Sequence, residues 1–567
     1  MPNLDRVQHE SLEIGPLPIV RAFLDRLELD QLLEQYLPRR RLGREPKLAP
    51  GKALTAMIAN IVIARRPLYG FREWARHFVP EHFGLEADDV DGLNDDRLGR
   101  ALDRMFEADR ASLMTAVITR AVKTFEIDVK QLHCDTTTVT FSGAYEKQRD
   151  ALTKDPPPVI TFGHNKDHRP DLKQLVYALT VSADGAVPIH HKTYDGNTTD
   201  DQVHIETWST LVEIVGHPRF LYVADSKLCT RENMTHIADR RGRFLTVLPA
   251  TRSEYTTFCD ALRQGLSVDW QEVRREPDPR GTDRDPIVYE AFEGDHSAEG
   301  YRVVWYRSSQ KTRLDAQART GRIEKAKRRL EALNDRVRPF KSEEAALQAA
   351  QAIVKDHHVE RWLAVHVETH VGHEFKQTKS GRPSPKTRYR KTEIPFFVVT
   401  YEENGDAIEA DARADGIFPL ITNVKKDKLP PKQVLAKYKY QPNLEKRNEQ
   451  LKSVYHVRPV LLHNPKRVTG LLFVYFLALL LWALIEREIR GAMKRHKIKM
   501  VPLYPELRDC QAPTTDGIFQ ALQGVRRHRL LDEKDQPLKT FYDKLSPAAE
   551  QCLELLGISF KPYGIEG

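Results

Sequence analysis

Three acidic residues lie where an apolar segment of the chain meets a polar one. Asp135 stands in QLHCDTTTV, Asp225 ends FLYVAD, and Glu445 opens the helix-like segment NLEKRNEQLKSVY. A carboxylate just past an apolar strand is costly to bury alone, so it usually has a partner such as a metal ion. Two strand-end aspartates and a distant glutamate are the ligands that two-metal phosphoryl transfer requires. These residues therefore predict a metal-dependent catalytic site.

Four residues around Glu445 have a spacing typical of one helical face: Tyr438, Gln441, Glu445 and Lys452 stand three, four and seven residues apart. Pro442 is tolerated only in the first turn, so the helix is predicted to begin there, with Tyr438 and Gln441 in the entering turn. Glu445 and Lys452 then face the same side, and Lys452 can reach a phosphate beside Glu445. Considered singly, Lys452 is as readily a surface lysine, and Tyr438 a packing aromatic.

The elements that must position the two aspartates are predicted to form a mixed sheet. VKQLHCDTTTVTF is rich in β-branched residues, and LKQLVYALTVS and AVPIHHKTY flank the turn Ala183-Asp184-Gly185. A helix that Thr199 or Asp200 is predicted to cap, the strand RFLYVAD, a helix capped by Thr230 and the strand RFLTVLPA follow. This order predicts an α/β fold with helices on the sheet faces, and functional groups gather at such strand ends.

The chain has 567 residues, which is enough for two to four domains. Asp225 and Glu445 are 220 positions apart, too many for one loop, so an inserted domain is predicted. The predicted segments are a helical N-terminal domain (1–127), the first part of a catalytic domain (128–250), the insert (251–412), the second part of the catalytic domain (413–500) and a small C-terminal region without an assigned role (501–567).

Basic segments occur in two of these predicted domains. The N-terminal domain carries PRRRLGREPK, a loop that suits DNA binding or simple solvation equally well. In the insert, Ile323, Ala326, Leu330, Leu333 and Val337 recur at three- and four-residue spacings, which predicts a packing seam on a long helix. Residues 376–391 contain seven Lys or Arg and no acid, and they are hypothesised to contact DNA phosphates.

The composition of the chain indicates in which cellular compartment the protein is found and which kinds of partner it can bind. The formal charge is +8, from 88 basic and 80 acidic residues, which suits a polyanionic partner but also an ordinary basic protein. Five scattered cysteines without a CxxC pair argue against zinc ribbons and disulfides and for a reducing cytosol. Residues 468–485 lack charge, yet charged residues flank them on both sides, so a buried core helix is predicted rather than a membrane span. The expected location is cytoplasmic.

Together these motifs resemble the DDE transposases of bacterial insertion sequences, in the subgroup marked by Tyr-x2-Arg-x3-Glu-x6-Lys after a long insertion. The similar segments span nearly the whole chain: LNDDRLGRALD, HCDTTTVTFSGAY, GHNKDHRPDLKQL, YDGNTTD, VADSKLCTREN and YQPNLEKRNEQLK. The resemblance implies an RNase H-like fold in which Asp135, Asp225 and Glu445 bind two Mg²⁺ ions, with Mn²⁺ as a substitute. Tyr438 and Lys452 match phosphate-contacting positions. Gln441 stands where the subgroup has arginine, and glutamine offers a phosphate hydrogen bonds but no charge.

The function that the resemblance implies is transposition. A homodimer would bind double-stranded DNA at the terminal inverted repeats, cleave there and transfer the 3′-hydroxyl to target DNA. Lys166, Arg169 and Lys173 are predicted to hold a DNA strand near the triad. His164 and His168 have a spacing that suits zinc, but the flanking Gly and Pro favour a loop. Two alternatives stay open: an RNase H-like nuclease that cuts without joining, and a transposase-derived DNA-binding protein, whose natural signature would be a missing carboxylate.

Overall fold

The computed structural model describes residues 7–38, 47–143, 145, 156–166, 169–278, 285–336, 339–454, 464–504 and 508–566. Most of the basic N-terminal loop (residues 39–46), His168 and Val337 lie outside these ranges. The chain divides into two compact units: Met1–Thr246 with Ala436–Gly567, called unit 1, and Val247–Leu435, called unit 2.

The strands are, in chain order, β1 (Gln8–Glu13), β2 (Gln131–Phe141), β3 (Lys173–Ser182), β4 (Pro188–Tyr194), β5 (Leu221–Val223), β6 (Arg243–Val247), β7 (Gln271–Glu276), β8 (Ile287–Glu293), β9 (Arg302–Ser308), β10 (Leu363–Gln377), β11 (Tyr389–Glu403), β12 (Ile417–Thr422), β13 (Val501–Tyr504), β14 (Arg508–Cys510), β15 (Arg526–Leu531) and β16 (Pro537–Tyr542). The helices are α1 (Leu17–Arg26), α2 (Leu29–Tyr36), α3 (Pro50–Ile63), α4 (Phe71–Ala75), α5 (Ala87–Val90), α6 (Asp95–Glu107), α7 (Arg110–Phe125), α8 (His204–Val215), α9 (Arg231–Asp239), α10 (Ser253–Arg263), α11 (Ser309–Asn334), α12 (Glu343–Asp356), α13 (Gly405–Ala412), α14 (Pro431–Tyr438), α15 (Gln441–Glu449), α16 (Pro465–Arg495), α17 (Thr515–Leu522) and α18 (Pro547–Leu556).

Unit 1 contains a mixed sheet with the strand order β4-β3-β2-β5-β6. Strands β2, β3 and β4 pair antiparallel, whereas β5 pairs parallel with both β2 and β6. Gly185 has φ +81° in the turn between β3 and β4, a left-handed conformation that glycine adopts without steric cost. Helix α9, capped by Thr230 as predicted, is the crossover between the parallel strands β5 and β6. The predicted mixed α/β architecture is confirmed.

Helix α16 runs through the core of unit 1, where it packs against α3, α6, β4 and α18. Gly470 lets α6 approach closely, because a Cβ atom there would lie 2.6 Å from the carbonyl oxygen of Leu102. The helix is long and apolar enough to cross a membrane, but 94% of its most apolar window is buried in protein. The prediction of a buried core helix over 468–485 is therefore confirmed.

A small sheet joins the two ends of the chain within unit 1. β1 pairs antiparallel with β15, and β15 pairs with β16. The sequence analysis does not predict β1, because QHESLE lacks the β-branched and aromatic residues typical of strands. Its conformation instead comes from pairing with a partner more than 500 residues away.

Unit 2 contains two sets of strands. Strands β12, β9, β8 and β7 pair antiparallel in that order. Strands β10 and β11 form a separate two-stranded ribbon, whose base packs against α11 and α12. Ile323, Ala326 and Leu330 of the predicted seam are buried in this cluster, and Leu333 is partly buried against it.

Candidate functional site

Neighbouring parallel strands bring Asp135 and Asp225 together. His133 of β2 pairs with Val223 of β5, and each aspartate lies two residues further along its strand direction. Adjacent strands are about 4.8 Å apart. Only Asp225 follows the end of a strand, however. Asp135 lies inside β2, because this strand continues to Phe141 by pairing with β3, and the expectation of a strand-end position for Asp135 is wrong.

Helices α14 and α15 lie along β2 and bring Glu445 towards the aspartates. Three hydrogen bonds join alternate residues of β2 to these helices: Gln131 with the carbonyl of Lys437 at 3.2 Å, His133 with Gln441 at 2.8 Å and Asp135 with Asn448 at 3.2 Å. Residues four and seven apart share one helical face, so Glu445 falls on the face that carries Gln441 and Asn448. Its side chain is exposed.

The three predicted acids all influence the pKa of Tyr438. Its side chain is half-buried at the end of α14. Burial raises the pKa of Tyr438 to about 12, and the carboxylates of Asp225, Glu445 and Asp135 add to that rise. The charge of each of the three predicted acids therefore disfavours ionisation of this hydroxyl.

A fourth carboxylate and a lysine complete the site. The Lys166 ammonium lies 3.6 Å from Oδ1 of Asp135 and 3.0 Å from Oδ2 of Asp200, and it donates a hydrogen bond to the carbonyl of Thr136 at 2.7 Å. Asp200 also accepts a hydrogen bond of 2.6 Å from the Thr136 hydroxyl. The prediction that Thr199 or Asp200 caps the following helix is wrong, because α8 begins only at His204 and neither side chain caps it.

Two glycines explain why the GHNK and DGNTTD segments meet. A Cβ atom on Gly163 would collide with the carbonyl oxygen of Gly196, and one on Gly196 would collide with the carbonyl oxygen of Gln174. The Gln174 amide donates to the Gly196 carbonyl at 2.7 Å and so holds the segments together. This close backbone approach brings Lys166 and Asp200 to the same site.

Burial and mutual repulsion determine the electrostatics of the carboxylates. Burial raises the pKa of Asp135 to about 6; Lys166 opposes the rise, whereas Asp225 and Asp200 add to it. Burial likewise raises the pKa of Asp225. For Asp200, burial is outweighed by the Thr136 hydroxyl and the Lys166 ammonium, which hold its pKa below the ordinary value. The pKa of Lys166 is raised, because Asp135 and Asp200 outweigh its burial.

The donor chemistry suits a divalent cation, although the side chains do not converge on one point. Within the described ranges, no three His, Cys, Asp or Glu side chains are close enough to hold a metal ion. Asp135 and Asp225 are nevertheless oxygen donors, the ligand type that Mg²⁺ prefers. Their burial disfavours the charged form, and a bound cation would relieve that cost. Asp135 and Asp225 therefore fit a metal better than the exposed Glu445 does in this arrangement.

Two of the cations predicted to hold DNA have partners outside the triad. Arg169 is exposed and pairs with Asp171 at 2.7 Å. Lys173 opens β3 and pairs across the ladder with Phe141, which is six residues beyond Asp135 and therefore about 20 Å from it along the strand. Of the three predicted cations, Lys166 contacts the triad, at Asp135.

Gln441 is occupied within the protein. Its side chain is 6% exposed; the amide oxygen contacts His133 Nδ1 at 2.8 Å, and the amide nitrogen donates to the Cys134 carbonyl at 3.4 Å. Burial lowers the pKa of His133 to about 4, so this imidazole is neutral near pH 7. In this buried position the amide of Gln441 hydrogen-bonds to β2 and does not face a phosphate at the surface, unlike the expectation from the sequence.

Arg447 anchors the helix that carries Glu445, and the sequence analysis misses it. Its buried guanidinium donates to Glu486 of α16 at 2.8 Å and to the carbonyl oxygens of Gly185 and Ala186 at 3.2 Å. A π-helical turn, Gln450–Val454, follows α15 and contains Lys452, which is half-buried. Such turns often occur at functional sites.

The chain matches a family model, and it is similar to a solved transposase structure. A family model described as a domain of unknown function (DUF4277) matches residues 9–119. A search of curated proteins found no match. Among solved structures, the chain is similar to a piggyBac transposase synaptic complex with hairpin DNA, at 10% identity and a TM-score of 0.25. That match covers 51% of this chain and 61% of the other.

Proposed function

We propose that this protein is a DDE transposase of the insertion-sequence type, which cleaves double-stranded DNA at the ends of its element and joins the freed 3′-hydroxyl to target DNA. The observation that carries the proposal is that the parallel strands β2 and β5 bring Asp135 and Asp225 side by side, while hydrogen bonds from Gln441 and Asn448 hold the helix of Glu445 against β2. The strand order of unit 1 supports the RNase H-like fold that the sequence motifs imply.

Each residue has a role in this proposal. Asp135, Asp225 and Glu445 would hold two Mg²⁺ or Mn²⁺ ions, which when bound activate water and stabilise an in-line displacement at phosphorus. Lys166 balances the charge of Asp135 and is itself oriented by Asp200. Tyr438 keeps its proton near pH 7, because its pKa is about 12, and its hydroxyl can therefore donate a hydrogen bond to a phosphate oxygen.

The charge of the chain and the symmetry of the proposed substrate support a DNA complex with two copies of the protein. A formal charge of +8 is compatible with a polyanion such as DNA. An element has two ends with matching inverted repeats, and a symmetric homodimer presents two matching surfaces. We therefore propose that two copies act together, one on each end.

The decisive experiment uses the DNA that flanks the gene. Duplexes that carry those sequences are incubated with the full-length protein, Mg²⁺ and a supercoiled target plasmid. We expect cleavage at the element ends and covalently joined products. Cleavage without joining would support the nuclease alternative, and binding without cleavage would support the transposase-derived DNA-binding protein. Asp225→Asn should abolish both products, whereas Asp239→Asn, on the exposed end of α9, should leave both unchanged.

A further inference from the structure

The ribbon formed by β10 and β11 extends well beyond the helices that support it. Each strand has 15 residues, and the pairing is continuous from Leu363 with Glu403 to Gln377 with Tyr389. A strand of this length spans roughly 50 Å. An isolated two-stranded ribbon is only marginally stable, so the packing of its base on α11 and α12 is what anchors it.

The outer end of the ribbon is strongly cationic. Residues 376–391 include seven Lys or Arg and no acid, and all seven side chains are exposed. Lys376 pairs with Glu374 at 3.0 Å. A dense group of exposed like charges repels itself unless an anionic partner neutralises it.

One face of the ribbon carries apolar side chains at intervals along its length, with polar ones such as His373 and Glu393 between them, and the helices cover only its base. Side chains alternate along a strand, so Leu363, Val367, Val371 and Phe375 share a face. Leu363 and Val367 pack in the cluster with α11 and α12. Further out, Val371 is 62% exposed, Phe375 61% and Tyr389 49%. The outer half thus combines exposed apolar groups with concentrated positive charge.

We propose that the outer half of this ribbon enters the major groove of duplex DNA. The major groove, about 12 Å wide, admits a two-stranded β-ribbon. The flexible Lys and Arg side chains then reach phosphates on both sides, while Phe375 and Tyr389 contact base edges such as the thymine methyl group. The partner, duplex DNA, rests on the proposed function; the ribbon as a binding element does not depend on the catalytic triad.

Charge favours DNA over a second copy of the chain as the occupant. Because α11 and α12 cover the base of the apolar face, only the outer halves of two ribbons can meet across a twofold axis. That arrangement would bring the seven cations of one ribbon against the seven of the other. Like charges placed together destabilise an interface, whereas phosphates neutralise them.

The first test measures how DNA affinity depends on salt, with the full-length protein. The ribbon variant is Arg382→Gln, Lys386→Gln and Arg388→Gln. The control variant is Lys325→Gln, Arg328→Gln and Lys355→Gln, which removes the same charge from exposed positions on α11 and α12. In the ribbon variant only, we expect the slope of log K against log salt to flatten by about 0.9 for each phosphate that is no longer neutralised. Equal slopes for both variants and the wild type would overturn the proposal.

The second test identifies the groove. Dimethyl sulfate methylates guanine N7, which lies in the major groove, and adenine N3, which lies in the minor groove. Wild-type protein should protect guanine N7 where the ribbon binds, and Phe375→Ala with Tyr389→Ala should reduce that protection without changing the salt slope. Protection of adenine N3 alone, or a change of oligomeric state in sedimentation with no change in DNA binding, would overturn the proposal. Mg²⁺-dependent cleavage, measured in parallel, reports separately whether the proposed function fails.

Discussion

The acidic site of unit 1 and the ribbon of unit 2 use charge in opposite ways. At the site, Asp135 and Asp200 are largely buried, and Lys166 contacts both of them. On the ribbon, seven cations are exposed at one end. Charges in a low-dielectric surrounding interact strongly with specific neighbours, whereas exposed charges are screened by salt and act as a group. We therefore expect the site to determine the chemistry and the ribbon to determine the affinity.

The largest effect we expect comes from removing a triad carboxylate. Asp135→Asn, Asp225→Asn or Glu445→Gln should each lower the cleavage rate on the order of a thousandfold or more, because each change removes a charged ligand that the proposed two-metal mechanism requires. DNA affinity at one fixed salt concentration should change little. Single-turnover cleavage and equilibrium binding measure the two effects. Near-normal cleavage by any of the three variants would contradict the assignment, and a matching loss of affinity would remove the distinction between site and ribbon.

The sequence predicted the central strands because their residues carry local information. The runs that form β2, β3 and β5 are rich in β-branched and aromatic residues, and the apolar segment of α16 is long and uncharged. β1 could not be predicted, since its conformation depends on β15 at the other end of the chain. Local patterns thus predicted elements, but not pairings between distant segments.

Contacts between distant segments also determine the part of the site that the sequence does not predict. Asp135 and Asp225 could be predicted, because each is an acid in or directly after an apolar strand. The sequence predicts Asp200 as a helix cap, since a polar residue before a helix usually has that role. Its actual partners, Thr136 and Lys166, lie 64 and 34 residues earlier in the sequence. The one available signal was the glycine in each of the two segments that meet.

The second-largest effect we expect is on folding stability, and it concerns Asp135. The folded protein holds the pKa of Asp135 near 6, above its ordinary value of 3.8. Relative to the charged form, protonated Asp135 stabilises the folded protein. This contribution is fully present below about pH 4 and disappears as the pH rises through about 6. At pH 8 the charged side chain should destabilise the fold by up to about 3 kcal/mol. Asp135→Asn removes that charge and should be the more stable protein at pH 8, but not at pH 4.

Denaturant unfolding at the two pH values, with metal ions chelated, measures this difference. The ribbon variant Arg382→Gln, Lys386→Gln and Arg388→Gln serves as the control, because exposed charges contribute little to folding stability. Its free energy of unfolding should equal that of the wild type at both pH values. A less stable Asp135→Asn at pH 8 would mean that the interactions of Asp135 with Lys166 and Asn448 outweigh the cost of burying its charge.

A smaller effect concerns the two cations of one loop. Lys166 lowers the pKa of Asp135, so Lys166→Met should raise that pKa and move the acidic limb of the cleavage rate to higher pH. We expect a roughly tenfold lower rate near pH 6, with a smaller difference at pH 8. Arg169→Gln is the matched control, since Arg169 is exposed and pairs with Asp171. Superimposable pH profiles for the wild type and Lys166→Met would show that this lysine does not influence the reacting carboxylate.

The smallest effect distinguishes the two halves of the ribbon's apolar face. Phe397 shares that face with Phe375, because Thr369 of β10 pairs with Phe397 and Phe375 pairs with Lys391. Phe397 packs against the cluster with α11 and α12, whereas Phe375 is 61% exposed. Phe397→Ala should therefore lower the free energy of unfolding by roughly 2 kcal/mol, and Phe375→Ala by less than about 0.5 kcal/mol. Thermal and denaturant unfolding without DNA provide the measurement. If Phe375→Ala destabilised the protein as much as Phe397→Ala, its ring would be part of the folded core, and the outer ribbon would no longer be a surface available to DNA.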